Sequence, residues 1–394
     1  MKRFLYTVVL STALVSLSPA QTFVVLHTFT GTPDGATPYG ALIRDTKSNL
    51  YGTTALGGTY NAGTVFKLRA TGTEAASYSF GRSGDGYGPV AGLVRDRAGN
   101  LYGTTAGGGA WGNGAVFKID ISGKETLLYS FKATYSGDGA APGYGSLLLD
   151  SAADLYGTTA SGGLGGCGYD EFCGTVFKVD LGGNETVLYR FGGVDDGWGP
   201  LGGLIQDPAG NLYGTTPNGG PYSNPCGNTG CGVVFKLTPV GVETRLYSFG
   251  AFSGDASGPT ATLVRDTKGN LYGTSVYGGT NFAGTVFRLT GGGMESVLHS
   301  FLGENSNGAF PRAGLIRDPR GNLYGTTVAG GTYNAGTVFK LDAAGNVTVL
   351  YTFTGGLDGG APVGNLALDT VGNLYGTASS GGASGYGTVF ELLP

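Results

Sequence analysis

The sequence predicts an all-β chain folded as a seven-bladed β-propeller of four-stranded antiparallel blades, with an N-terminal strand completing the last blade. Three observations lead there. First, a Leu-Tyr-Gly segment recurs seven times, at Tyr51, Tyr102, Tyr156, Tyr213, Tyr272, Tyr324 and Tyr375, 51 to 59 residues apart. A Thr-Val-Phe-Lys-Leu-like run follows each, carrying Phe66, Phe117, Phe177, Phe235, Phe287, Phe339 and Phe390. A repeat of this period fixes the architecture before any local reading does. Second, each unit resolves into four short apolar runs joined by Gly-rich turns, with no helical period anywhere. Third, the two ends of the chain are complementary. The run Phe23–Phe29 matches the fourth strand of other units, such as Thr348–Phe353, whereas the last unit stops at its third strand, Gly387–Leu392. Pairing them closes the ring and removes two free sheet edges.

Residues 1–20 stand outside this pattern. Lys2 and Arg3 precede an apolar run from Phe4 to Leu17, and Ser18-Pro19-Ala20 places small residues before a cleavage point. This is the layout of a secretory signal peptide, and the run is shorter than the roughly 20 residues a membrane span needs. The expected mature chain, residues 21–394, is one propeller domain without a membrane span, secreted or periplasmic and monomeric. No cysteine follows the cleavage point to carry a lipid.

Within the unit that starts near Pro200, the expected strands are Leu201–Gln206, Asn211–Thr216, Gly232–Leu237 and Glu243–Phe249. The turn after the first strand opens with Asp at Asp45, Asp96, Asp150, Asp207, Asp266, Asp318 and Asp369, and four residues later comes Asn, or Asp154 in the third unit. Asp and Asn at these positions suit side-chain-to-backbone hydrogen bonding in a tight turn, a reading preferred over an acidic ring. Lys67 and Glu74, Lys118 and Glu125, Lys178 and Glu185, Lys236 and Glu243, and Arg288 and Glu295 are each seven apart across the turn between strands three and four. That spacing suggests cross-strand ion pairs. The pattern lapses at Lys340, which meets Val347, and at Glu391, expected to face Phe23.

The repeated Gly-Asn-Leu-Tyr-Gly-Thr-Thr, Gly-Gly and Gly-Thr-Val-Phe-Lys-Leu segments resemble the Gloeo–Verruco (GloVer) tandem repeat of bacterial exported proteins, over roughly residues 39–392. The resemblance implies an exported repeat protein, often with a C-terminal sorting anchor, which is not found before Leu393-Pro394. It brings no activity with it. More narrowly, Asp-x-x-Gly-Asn-Leu-Tyr is similar to one turn and strand of NHL and gluconolactonase-like propellers.

Composition narrows the function. Of 394 residues 79 are glycine, only 13% are charged, and the net charge is −4. A nucleic-acid partner, which requires a basic face, is therefore not expected. Cys167 and Cys173 share one loop, and Cys226 and Cys231 share the corresponding loop of the next unit. Two local disulfides are the simplest reading in an exported protein. The alternative, one zinc held by four converging thiolates, lacks the usual short-knuckle spacing. The two histidines, His27 and His299, occupy a fourth-strand slot that holds Tyr elsewhere, which argues against Ser-His-Asp chemistry and His-rich metal sites. No Gly-rich run ends as a phosphate loop does.

The loop leading into strand one and the loop between strands two and three are expected on one face, and both vary. The lead-in loop carries Asp-Gly-x-x-Pro or a close variant, as in Asp34 to Pro38 or Asp196 to Pro200, with Asn307 to Pro311 as the exception. It reads as turn chemistry. The sharper alternative is a carboxylate ring binding Ca²⁺, which wants six to eight oxygens, but only Asp195-Asp196 are close together, so no cofactor is expected. Tyr87 and Trp198 sit two residues before the lead-in proline, and Phe310 sits one residue before it. Tyr60, Trp111, Tyr222, Phe282, Tyr333 and Tyr386 lie in the other loops. Flat rings beside Asp196 would suit a sugar, and Trp198 and Trp111, flanked by glycine, are expected to be the most open. The alternative for each ring is blade-to-blade packing. No catalytic residue is assigned. The expectation is a binding module for an extracellular polysaccharide or an envelope protein. The alternatives are a carboxylate-dependent lyase or hydrolase using off-repeat acids such as Asp170, Glu171, Asp195 and Glu304, and a structural scaffold.

Overall fold

In the computed structural model, residues 21–69, 74–132, 137–163, 173–193, 195–222, 226–303 and 305–393 are described. Residues 1–20, expected to be a signal peptide, fall outside them, as do Cys167, Asp170, Glu171 and Glu304. Each Leu-Tyr-Gly-Thr-Thr segment forms the second strand of a blade, as in Leu50–Thr54, and each Val-Phe-Lys segment forms the third, as in Thr64–Leu68. Seven four-stranded antiparallel sheets result. The last combines Ala367–Leu368, Leu374–Ala378 and Thr388–Leu393 with the N-terminal strand Thr22–Thr28. The propeller and its predicted closure are both present. First strands are shorter than expected: in the fourth blade only Ile205–Gln206 pairs, while Leu201 and Gly202 line the axial cavities and Leu204 enters the core.

The glycine of Leu-Tyr-Gly has a packing cause. A Cβ at Gly52 would lie 2.6 Å from the Phe66 ring and 2.9 Å from Leu42, and Gly157 is set against Phe177 and Leu147 in the same way. The phenylalanine of the third strand therefore lies flat over its own blade. It is gripped from the other side by the phenylalanine that ends the fourth strand of the preceding blade. These pairs run edge-to-face around the ring with centroids 4.9 to 5.3 Å apart: Phe29–Phe66, Phe80–Phe117, Phe131–Phe177, Phe191–Phe235, Phe249–Phe287, Phe301–Phe339 and Phe353–Phe390. Such geometry adds roughly 0.5–1.5 kcal/mol per pair beyond area burial. Both rings are buried at each junction, so the core is seven inter-blade wedges.

Nearer the axis, a second-strand threonine hydroxyl donates to a main-chain carbonyl of the next blade. Thr53 reaches Ala91, Thr158 reaches Gly202, Thr215 reaches Ala261 and Thr274 reaches Ala313, at 2.8 to 3.2 Å. Thr377 reaches Gly40 and so ties the last blade to the first.

The aspartates after strand one are structural. Asp45 accepts from the Lys47 and Asn49 backbone N–H groups, the Asn49 amide and the Tyr51 hydroxyl. Burial pushes its pKa up, but these hydrogen bonds outweigh burial and leave it lowered. Asp96, Asp207, Asp266 and Asp318 repeat the arrangement.

The expected Lys–Glu pairs do not form. Lys118 lies opposite Thr126, and Glu125 lies opposite Ile119. Lys67, Lys178, Lys236 and Arg288 are offset from their glutamates in the same way, and Glu391 pairs with Val24 rather than Phe23. Neighbouring positions on a strand point to opposite faces, so an offset of one residue parts the charges. The lysines instead lie over the tyrosine of the second strand, 5.3 Å for Lys67 on Tyr51 and 5.9 Å for Lys118 on Tyr102. Lys178 bonds Asp154 at 2.9 Å.

Candidate functional site

The segments that follow the lead-in prolines converge on the axis. One residue from each blade forms a ring at the channel mouth: Tyr39, Val90, Tyr144, Leu201, Thr260, Arg312 and Val363. The ring floors a cavity of about 910 Å³ that opens outward over the fourth and fifth blades. Its walls are the loops between strands two and three of those blades, with Pro217, Asn218, Thr229, Tyr277 and Phe282, and the lead-in residues Ser257 and Gly258. Both variable loops thus share one face. A narrower space of about 50 Å³ continues inward past Gly92, Ser146, Thr262 and Asn365. Tyr277 and Phe282 are 51% and 59% exposed, so their faces are open to a ligand. Phe282 also borders a second hollow of about 490 Å³ with Tyr222 and Phe252.

Among the described residues, Arg312 is the one charged side chain lining either axial cavity, and no described Asp or Glu joins it. The lead-in aspartates are occupied elsewhere. Asp196 accepts from the Tyr189 hydroxyl at 2.6 Å and from the Gly192 N–H, and Asp255 accepts from Tyr247 and the Gly250, Ala251 and Ala256 N–H groups. They close their own loops. Among the described residues, no group of three or more His, Cys, Asp or Glu side chains is arranged to hold a metal ion.

The residues expected to bind ligand are scattered. Trp111 is 63% exposed and Tyr87 is also exposed, but neither borders a cavity described above. Trp198 is not the open face its glycine neighbours suggested: it packs, partly buried, against the cluster of Cys173, Val176 and Phe191. Phe310 supports the site from behind, edge-on to Tyr277 at 6.0 Å. The Cys226–Cys231 disulfide forms as expected, with Cα atoms 5.2 Å apart, and Cys226 contributes to the cavity wall. Cys173 is fully buried. Its expected partner Cys167 lies outside the described residues, so that pairing does too.

The Gloeobacter/Verrucomicrobia repeat model matches residues 11–169, 89–249 and 168–390. The chain belongs to the Gloeobacter/Verrucomicrobia repeat family. No curated protein sequence matches it. Among solved structures, this repeat protein is similar to a virginiamycin B lyase from Staphylococcus aureus, with a TM-score of 0.61 and 12% identity over 95% of this chain and 100% of that one. It is also similar to the extracellular domain of a hybrid two-component system from B. thetaiotaomicron, at 0.59 and 14% over 95% of this chain and 41% of the other. A puromycin hydrolase mutant aligns at 0.55 and 13%, over 88% and 50%. At these identities the likeness is one of fold. Among the described residues, no helix is long and apolar enough to cross a membrane.

A further set of acids lies away from the cavity. Glu125, Glu185, Glu243 and Glu295 turn toward the preceding blade, and each has at least one buried carboxyl oxygen without a hydrogen-bond partner. Burial first, and then the lead-in aspartates Asp85, Asp138 and Asp196, raise the first three to about 7. Burial and Asp255 raise Glu295 to about 8. At the next junction the partners change together: His299 replaces Tyr, Asn307 replaces Asp and Val347 replaces Glu.

Proposed function

We propose that this repeat protein is an exported binding module that holds an extracellular glycan on its loop face. The cavity over blades four and five carries the reading. It is large, it is walled by the open rings of Tyr39, Tyr144, Tyr277 and Phe282, and its polar groups are short side chains, Asn218, Thr229, Ser257 and Thr260. Flat apolar faces with a few oriented hydrogen-bonding groups match the alternating faces and hydroxyls of a sugar. Two carboxylates set across a bond, the requirement for glycoside hydrolysis, are not present among the described lining residues. This favours binding over the lyase or hydrolase alternative. The disulfide in the cavity wall and the extracellular setting of one structural neighbour support export.

The test is isothermal titration of residues 21–394 against soluble polysaccharides, alongside Tyr277→Ala and Phe282→Ala. Each variant is expected to weaken binding at least about tenfold, equal to ~1.4 kcal/mol, with an unchanged melting temperature. Binding that survives both substitutions at full strength would remove the site from this cavity. Absence of glycan binding would turn attention to an envelope protein as partner.

A further inference from the structure

The channel mouth carries an unanswered charge. Six of its seven ring positions hold Tyr39, Val90, Tyr144, Leu201, Thr260 and Val363, all uncharged. The seventh is Arg312, which is exposed and makes no hydrogen bond or ion pair with any described residue. A guanidinium is always protonated and offers five N–H donors in a planar fork. The repeat does not demand arginine here, since no other blade places a cation after its lead-in proline. Nor does general basicity explain it, because the chain has 23 Lys plus Arg against 27 Asp plus Glu. One blade earlier on the same ring, Thr260 lines the same cavity, and its hydroxyl has no partner. Apolar walls weaken solvent screening and strengthen the attraction of Arg312 for an anion.

Building on the glycan reading above, we infer that the ligand is an acidic glycan whose uronate carboxylate is gripped by Arg312. A carboxylate presents two coplanar oxygens to the fork, and bidentate pairing of this kind is both directional and strong. The aromatic rings around the mouth then take the faces of the same or neighbouring sugars. No bond is made or broken.

The experiment compares polygalacturonate with its fully methyl-esterified form and with neutral dextran, using residues 21–394 as wild type, Arg312→Gln and Arg312→Lys. The expected result is that wild type prefers the acid to its methyl ester by about tenfold or more, with affinity falling as salt rises. Arg312→Gln should abolish that preference while leaving residual binding to the rings. Arg312→Lys should keep the salt dependence but recover only part of the affinity, because it restores the charge without the fork. Equal binding of acid and ester by wild type, or an unchanged preference in Arg312→Gln, overturns the assignment to Arg312 and leaves glycan binding standing. Failure to bind any of the three polymers overturns both. A sulfated polysaccharide preferred over polygalacturonate would likewise overturn the carboxylate assignment.

Discussion

Replacing Glu295 with glutamine should make this propeller more stable at alkaline pH, an unusual outcome for removing a charged group. Asp255 is buried and accepts four hydrogen bonds, from the Tyr247 hydroxyl and three backbone N–H groups. Neither oxygen of Glu295 has a partner. The proton at this junction therefore resides on Glu295. Burial, followed by the Asp255 charge, raises its pKa from an ordinary 4.5 to about 8, while Tyr247 faces the pair from the preceding blade. A displacement of that size would be worth at most ~5 kcal/mol in a fully shielded site. Glu295 is only partly buried and water screens it, so a contribution of about 1–2 kcal/mol is appropriate. The sign follows from proton counting. Between about pH 4.5 and 8 the folded chain keeps a proton that the unfolded chain releases, so stability falls as pH rises through that window. The stabilising contribution is complete below the unfolded value and gone above the folded one. Urea titrations of wild type and Glu295→Gln at pH 4.5, 6.5 and 8.5, followed by the fluorescence of Trp111 and Trp198, read this directly. The variant should match wild type at pH 4.5 and exceed it by about 1–2 kcal/mol at pH 8.5. Half-buried His299, with its pKa lowered by burial, acts in the opposite sense but is common to both proteins. A variant less stable than wild type at pH 8.5, or a difference that does not change with pH, would refute the reasoning.

Two further outcomes test the packing. Gly157→Ala places a methyl group 2.6 Å from the buried Phe177 ring and 2.9 Å from Leu147, so it should destabilise by about 1–3 kcal/mol in a denaturant titration, despite being a nominally helpful loss of backbone freedom. Reduction of Cys226–Cys231 opens a closure only five residues long, worth roughly 2 kcal/mol at most by chain entropy. It should shift melting by no more than a few degrees while weakening glycan binding, because Cys226 forms part of the cavity wall.

The architecture was legible because the same packing problem is solved seven times. Each blade must cover a phenylalanine, each cover needs a glycine beneath it, and each needs a second phenylalanine from the blade before. Those requirements leave a written period. Register was less legible. The seven-residue interval between Lys118 and Glu125 looks like a face-to-face pair, but the turn sets Lys118 against Thr126 and Glu125 against Ile119. Sequence distance fixes the length of a hairpin loop; where the ladder begins is set by backbone geometry within the turn, and an error of one residue reverses every side chain. The glutamates then read as surface charges when they are half-buried and face carboxylates of another blade. That relation spans 40 to 47 residues, as in Asp85–Glu125 and Asp138–Glu185. Its one trace in the sequence is the joint change to His299, Asn307 and Val347.

The candidate site was hidden for the opposite reason. The long loops supply the exposed rings of Phe282, which the repeat pattern singles out, and of Tyr277, which it does not. The ring that floors the cavity, however, comes from the residue after the lead-in proline in six blades and, in the third, from Tyr144, two residues after Pro142. Packing holds the glycine of Leu-Tyr-Gly and the third-strand phenylalanine constant, whereas this position varies among Tyr39, Val90, Leu201, Thr260, Arg312 and Val363. The junction of the second and third blades shows the trade directly. One extra residue between Pro142 and Leu147 carries Tyr144 to the mouth, and Thr104, whose counterparts Thr53 and Thr158 each bond a carbonyl in the following blade, has a buried hydroxyl with no partner. An unmatched buried hydroxyl costs about 1–3 kcal/mol. The junction between the second and third blades thus forgoes its axial hydrogen bond, and the fold gains nothing from an exposed tyrosine. The gain lies in the ring itself, where Tyr144 stands with Tyr39 and Arg312 at the floor of the cavity.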